Sequence, residues 1–176
     1  MLDLTPLLAF RWSPRAFDPT TGLTGDEATS LLEAARWAPS AGNTQPWRFA
    51  FGHREDATWK RLLVSLPDGD QRWARQAAAL LLGAHTGGEP ERAAYDLGQA
   101  VAHLTVQATA LGLHAHQLTR FDRAGLADEL DLPVGVRPTV VVAIGRLGDP
   151  FALPEDLRNR ETDLRRRRPL ADLLLA

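Results

Sequence analysis

"WAPSAGNTQPWRFAF", residues 37–51, changes its hydrophobic period midway. Upstream the chain reads as helix and stops at Pro39, because a proline disfavours helical geometry in the residue before it. Downstream, Trp47, Phe49 and Phe51 alternate with Arg48 and Ala50, which is the period of a strand with a buried aromatic face. Between the two lie Ser40, Asn43, Thr44 and Gln45 on a loop that includes Gly42, clamped by Pro46 and Trp47. A helix passing through a short loop of neutral hydrogen-bonding groups into a strand makes this a mixed helix-and-sheet protein.

Working outward, Thr24 and Glu27 have the spacing of a capping box, and the helix they open carries Ala28, Leu31, Leu32 and Ala35 on one face. Before it, residues 4–10 form a short helix, and "RWSPRAFDPTTGL" is a loop punctuated by two prolines, Asp18 and Gly22. After the strand, residues 56–65 are helical with Trp59, Leu62 and Leu63 together, and "PDGD", 67–70, is a turn. "AAALLLGAH", 77–85, is a buried strand or a helix; a short apolar run does not distinguish them. Leu97, Val101, Leu104, Ala108 and Leu111 mark a long helix that Gly112 ends. Its small or apolar residues cover most of its circumference, so it is expected to be buried, with a subunit contact on one side. "LHAHQL" is a short strand, Asp122 caps a helix running to about Leu130, and "TVVVAIG", 139–145, is the clearest strand. From about residue 148 to 176 little core pattern remains. That segment reads as an arm, and an arm persists by packing on something, here a second subunit.

The chain has 176 residues, a length for one domain spanning 1–176, and it is 44% hydrophobic and 24% charged, as a folded globular protein is. Its net charge of −2 argues against a nucleic-acid partner. It has no cysteine, which excludes disulfides, thiolate metal sites and cysteine nucleophiles. No apolar run spans a membrane and no signal peptide is evident, so a cytoplasmic location is expected. No phosphate-cradling glycine loop, dinucleotide fingerprint, nucleophile elbow or zinc signature occurs. His114 and His116 share a strand face; without a third ligand nearby, a structural role outweighs a metal one. The chain offers no obvious catalytic side chain, so a cofactor would carry any chemistry.

Three segments share one theme. "RWSPR" offers Arg11, Ser13 and Arg15; "PSAGNTQPW" offers Ser40, Asn43 and Gln45; "RRRRPL" offers Arg165 to Arg168. All basic residues except Lys60 are arginines, whose planar forks grip oxyanions in bidentate fashion. Guanidinium groups with a hydroxyl suit a phosphate monoester, and neutral amides suit a polar heteroaromatic ring or a polyol. Flavin mononucleotide, FMN, combines all of these. The order "RWSPRAF", "APSAGNTQPWRF", "YDLGQAVAHLTVQATALGLHAHQLTRFD", "RPTVVVAIGRLGDP" and "RETDLRRRRPL" resembles the nitroreductase family of FMN-dependent NAD(P)H oxidoreductases over about residues 10 to 170.

The resemblance implies an α+β fold with a central, mainly antiparallel sheet flanked by helices, and an intertwined homodimer with a C-terminal arm. It implies FMN in the subunit interface, NAD(P)H as co-substrate and a small electron-poor acceptor, such as a nitroaromatic or quinone. Arg11 and Ser13 would hold the phosphate with Arg165 and Arg167, and Arg15 would reach the pyrimidine end of the ring and stabilise its reduced form. Pro39, Ser40, Ala41, Asn43 and Gln45 would line the site from the other subunit, and Trp12, Gln117, Thr119 and Arg120 would complete it. Thr119 and Arg120 stand where related chains often have a pair of glycines. That departure favours an alternative, a flavin-binding sensor or FMN store with little turnover; a third reading is an interaction module with an empty cleft.

Overall fold

The computed structural model describes residues 4–175. Four strands, β1 (Trp47–His53), β2 (Ala79–His85), β3 (His114–Leu118) and β4 (Arg137–Gly145), form one sheet in the order β1-β2-β4-β3, with every neighbouring pair antiparallel. The order follows from burial. β2 is buried along its whole length and β4 is buried almost throughout, so both need cover on two faces and take the centre. "AAALLLGAH" is thereby a strand. Leu80, Leu82 and Ala84 enter one hydrophobic cluster and Ala79 and Leu81 the other, the two-residue alternation of a sheet with helices on both sides.

One face is covered by α3 (Ala57–Val64), α4 (Asp68–Ala74) and α6 (Arg123–Glu129), which contribute Trp59, Leu62, Trp73 and Leu126 to a cluster with Phe17. The other is covered by α2 (Gly25–Arg36) and α5 (Pro90–Ala110), through Leu31, Ala35, Leu97, Val101 and Leu104. The Thr24–Glu27 capping box opens α2, with Thr24 Oγ1 accepting from the Glu27 N–H at 3.1 Å. Asp56 caps α3 and Asp122 caps α6 in the same manner. Gly112, at φ +69°, follows α5 in the left-handed conformation that relieves a helix terminus.

Several expectations change. "PDGD" is the entrance of α4, with Pro67 at its N-cap; the pull is tertiary, since Trp73 on the same helix is fully buried. β1 runs on to His53, and only Trp47 of its aromatic face is buried, because β1 is an edge strand; Phe49 and Phe51 are half-buried. At Gly52 an added Cβ would lie 2.3 Å from the Trp59 backbone nitrogen, which is how α3 packs so closely on β1. α5 begins at Pro90, a turn and more before its periodic apolar residues, and its outer side is open: Tyr95, Gly98 and Ala102 are exposed.

The C-terminal segment also divides. Leu153, and Leu157 on α7 (Glu155–Glu161), are buried in the chain's own core, so residues 150–161 belong to the domain that the sequence suggested was complete without them. Every described residue from Thr162 onward is exposed, including Leu164, Leu170, Leu173 and Leu174.

Candidate functional site

The loop between α1 (Pro6–Ala9) and α2 is held from two sides. From β3, His116 Nδ1 donates to the carbonyl oxygens of Ser13 at 3.2 Å and Pro14 at 3.0 Å. Both partners are acceptors, so Nδ1 carries the proton. From the end of α7, the buried carboxylate of Glu161 accepts from the Arg15 N–H at 2.9 and 3.1 Å and from the Ala16 N–H at 3.4 Å. Phe17 then stacks on Trp73, with ring centroids 6.2 Å apart, and bridges to Leu147. The Arg15 guanidinium lies 6.0 Å from the Trp73 ring centre, and the same ring lies 4.7 Å from that of His116. Such a cation over an indole face is attracted by the ring quadrupole.

This arrangement gathers charge. The Arg165 guanidinium reaches back from the tail to donate to the Ala9 and Arg11 carbonyls. Burial, then the charges of Arg165 and Arg167, lower the Arg11 pKa from its ordinary value. None of the three makes an ion pair among the described residues. Ser13 and Trp12 are half-buried beside them. Head and tail, 154 residues apart at the Arg165–Arg11 contact, thus build one cationic corner.

The second predicted segment lies elsewhere. Residues 41–45 are exposed, and three of them, Gly42 at φ +59°, Asn43 at +56° and Gln45 at +47°, are left-handed. Non-glycine residues held there carry strain and need support, and they concentrate at functional sites. Support comes from Ser40 Oγ, which accepts from the Gln45 N–H at 3.0 Å, and from the buried Asp96 of α5, whose Oδ2 accepts from the Ala41 N–H at 3.2 Å. The Gln45 amide is turned onto the Asn43 carbonyl at 3.1 Å.

The third segment leaves β3. Gln117 Nε2 donates to Thr105 Oγ1 at 3.3 Å, and Thr105 in turn donates to the Val101 carbonyl at 2.7 Å. Thr119 accepts on its carbonyl from Arg123 at 3.0 Å, and Thr119 and Arg120 are both exposed. The loop 39–45 enters β1 while 117–120 leaves β3, so they flank opposite edges of the sheet, roughly 14 Å apart at standard strand spacing. No hydrogen bond joins them among the described residues.

Glu161, Asp96 and Thr105 were not anticipated as supports. The structural role expected for His116 takes the form of its hydrogen bonds to two backbone carbonyls. The signal for the carboxylates was faint: an acid inside a helix reads as surface until tertiary packing buries it.

His116 gives a pH dependence. Burial, and secondarily the charge of Arg15, lower its pKa despite its carbonyl partners and Glu161; burial likewise lowers those of His85 and His114. The unfolded chain therefore takes up these protons at a higher pH than the folded one does. The expected stability is full above about pH 6.5 and declines as pH falls below it. Thermal denaturation at a series of pH values should show that decline, shallower in His116→Gln; a profile flat to about pH 5 contradicts the assignment.

The model of the "Nitroreductase family" matches residues 8–65. A solved structure described as an oxidoreductase containing FMN is 37% identical, superposes with a TM-score of 0.90, and is matched over 98% of this chain and 91% of its own. The chain belongs to the nitroreductase family. An uncharacterized 15.4 kDa protein of Mycolicibacterium smegmatis is 40% identical over 116 residues, covering 64% of this chain and 78% of that protein. The oxygen-insensitive NAD(P)H nitroreductase of Salmonella typhimurium is 31% identical over 77 residues, 44% of this chain and 30% of that enzyme.

At Thr119 and Arg120, where the resemblance to the family leads to the expectation of a glycine pair, the backbone is ordinary: neither is among the residues with positive φ, so glycine is not required there for left-handed geometry. Among the described residues no helix is long and apolar enough to cross a membrane.

Proposed function

We propose that the protein is an FMN-dependent oxidoreductase, built from two copies of the chain, that moves reducing equivalents from NAD(P)H to an electron-poor small molecule such as a nitroaromatic or quinone. The observation that carries this reading is the corner of Arg11, Arg165 and Arg167, where like charges converge without a carboxylate to balance them. A phosphate dianion is the complement of such a corner. When bound, FMN would supply the redox chemistry, hydride transfer between NAD(P)H and the acceptor.

The chain's own residues bind and orient. Arg11, Ser13, Arg165 and Arg167 take the phosphate, with Trp12 alongside. Arg15, fixed through its N–H to Glu161, is the cation that favours an electron-rich reduced ring. Gln117, Thr119 and Arg120 face the ring from β3. Pro39, Ser40, Ala41, Asn43 and Gln45 complete the site from a second copy, because within one chain they flank the opposite sheet edge. The same pairing covers the open side of α5 and the groove of about 640 Å³ that Leu7, Leu8, Trp37, Ala102 and Val106 line. The exposed tail beyond Thr162 then becomes the arm.

The test is the spectrum of the purified protein followed by anaerobic mixing with NADH and NADPH. Near-ultraviolet and blue bands that bleach promptly are expected, from a species that sediments as a dimer. Bands that do not bleach favour the sensor or store. A colourless chain that takes up no added FMN overturns the reading.

A further inference from the structure

The long helix α5 buries two polar side chains, Asp96 and Thr105, among residues that are otherwise alanine, leucine and valine. They are nine residues apart, roughly 14 Å along the helix axis. That matches the separation of the edge strands β1 and β3, on both of which α5 packs. Each side chain fastens a segment at one edge. Asp96 Oδ2 accepts from the Ala41 N–H at 3.2 Å, and Thr105 Oγ1 accepts from Gln117 Nε2 at 3.3 Å. One helix is thus the strut beneath both segments.

Asp96 is the distant support of its loop. Among the described residues, every other hydrogen bond of residues 40–45 is made within 40–48. Asp96 reaches the loop from 55 residues away. Beside this bond a cavity of about 350 Å³, lined by Thr44, Pro46, Ala93 and Asp96 among others, parts the loop from the helix. The hydrogen bond rather than packing therefore ties the two. Asn43 and Gln45 are left-handed, a conformation that persists only with outside support. Asp96 is 3% exposed and has this one partner among the described residues. A buried carboxylate costs free energy unless it is well paired, so Asp96 serves the loop more than the core.

We propose that Asp96 is a positioning residue that acts across the dimer: the loop it fastens completes the cofactor site of the second copy, so one chain's Asp96 governs how tightly the other chain's arginines hold FMN. The inference rests on the two-copy flavin reading above and adds to it a residue that touches neither cofactor nor substrate. Thr105 has the complementary place, since Gln117 belongs to the chain's own site.

The test combines two defects. Asp96→Ala, or Asp96→Leu should the alanine variant unfold, is expected to weaken FMN binding about tenfold, as loss of one hydrogen bond to a charged group does. Asp96→Asn keeps an accepting oxygen and should restore binding to within about threefold. In the flavin-free protein, amide exchange at Ala41 should quicken several-fold in the same alanine or leucine variant. Mixed dimers then locate the effect. One chain carries the Asp96 substitution, the other carries Arg11→Ala with Arg167→Ala, and the dimer is isolated through two different tags. Action across the dimer leaves one site with intact arginines and an intact loop, so one FMN per dimer should bind at the unsubstituted affinity. Action within a chain leaves no intact site, and a mixed dimer that binds no FMN at that affinity overturns the proposal. FMN affinity unchanged in the Asp96 variants overturns it as well. An unsubstituted protein that takes up no FMN, or that holds FMN as a monomer, overturns the flavin reading beneath it, so the two failures are told apart.

Discussion

Arg11→Ala combined with Arg167→Ala is expected to release FMN from a chain that remains folded. The Arg167 side chain bonds only the neighbouring Arg166 carbonyl, and the Arg11 guanidinium makes no hydrogen bond among the described residues, so the flavin-free protein loses little contact. It gains relief, because the folded state disfavours the charge on Arg11 through burial and the nearby Arg165 and Arg167. The denaturation midpoint of the flavin-free variant should equal or exceed that of the unsubstituted flavin-free chain. The holoprotein behaves oppositely. A hydrogen bond to a charged group contributes about 1.5–3 kcal/mol net, a factor of roughly 10–150 per arginine. FMN affinity, read from flavin fluorescence, should therefore fall by about 100-fold or more. Riboflavin, which lacks the phosphate, is the control and should bind both proteins alike. FMN affinity unchanged in the double variant would remove the phosphate from this corner.

Glu161→Ala unfastens the loop that carries these groups. Its carboxylate accepts from the Arg15 and Ala16 N–H groups at 2.9 to 3.4 Å, and it is buried. A buried donor stripped of its acceptor costs about 1–3 kcal/mol, so a loss of roughly 2–5 kcal/mol is expected from chemical denaturation. Glu161→Gln, which keeps one carbonyl oxygen, should fall between. Both variants should also bind FMN more weakly, because Ser13 and Arg15 no longer share a fixed backbone. A change in stability below about 0.5 kcal/mol in Glu161→Ala would show that His116 alone holds the loop.

Glu161 also shows why some of the structure was illegible. In "LRNRETDL" it is one charge among many, and only the packing of Leu153 and Leu157 turns it inward. "PDGD" is a similar case, since a turn and a helix entrance use the same residues and the burial of Trp73, three residues beyond Asp70, decides between them. By contrast, the Thr24–Glu27 cap, the Asp122 cap and the stop at Gly112 were readable, because each needs only neighbours within a few positions. The candidate site divides likewise. Its arginines and its amide-rich loop stood in plain view, whereas the carboxylates behind them did not.

The amino-acid sequence by itself determined the local elements, the cationic ends, the neutral loop at 39–45 and, through their order, the family. Local hydrogen bonds and side-chain periodicity act over a few residues, so they are written in the order of the chain. Only the tertiary structure decided that β2 lies between two helical layers, that Arg11 and Arg165 meet, and that the loop 39–45 and residues 117–120 flank opposite sheet edges. It also decided which polar groups are buried. Burial and charge proximity depend on residues far apart in sequence, and they exist once the sheet has closed.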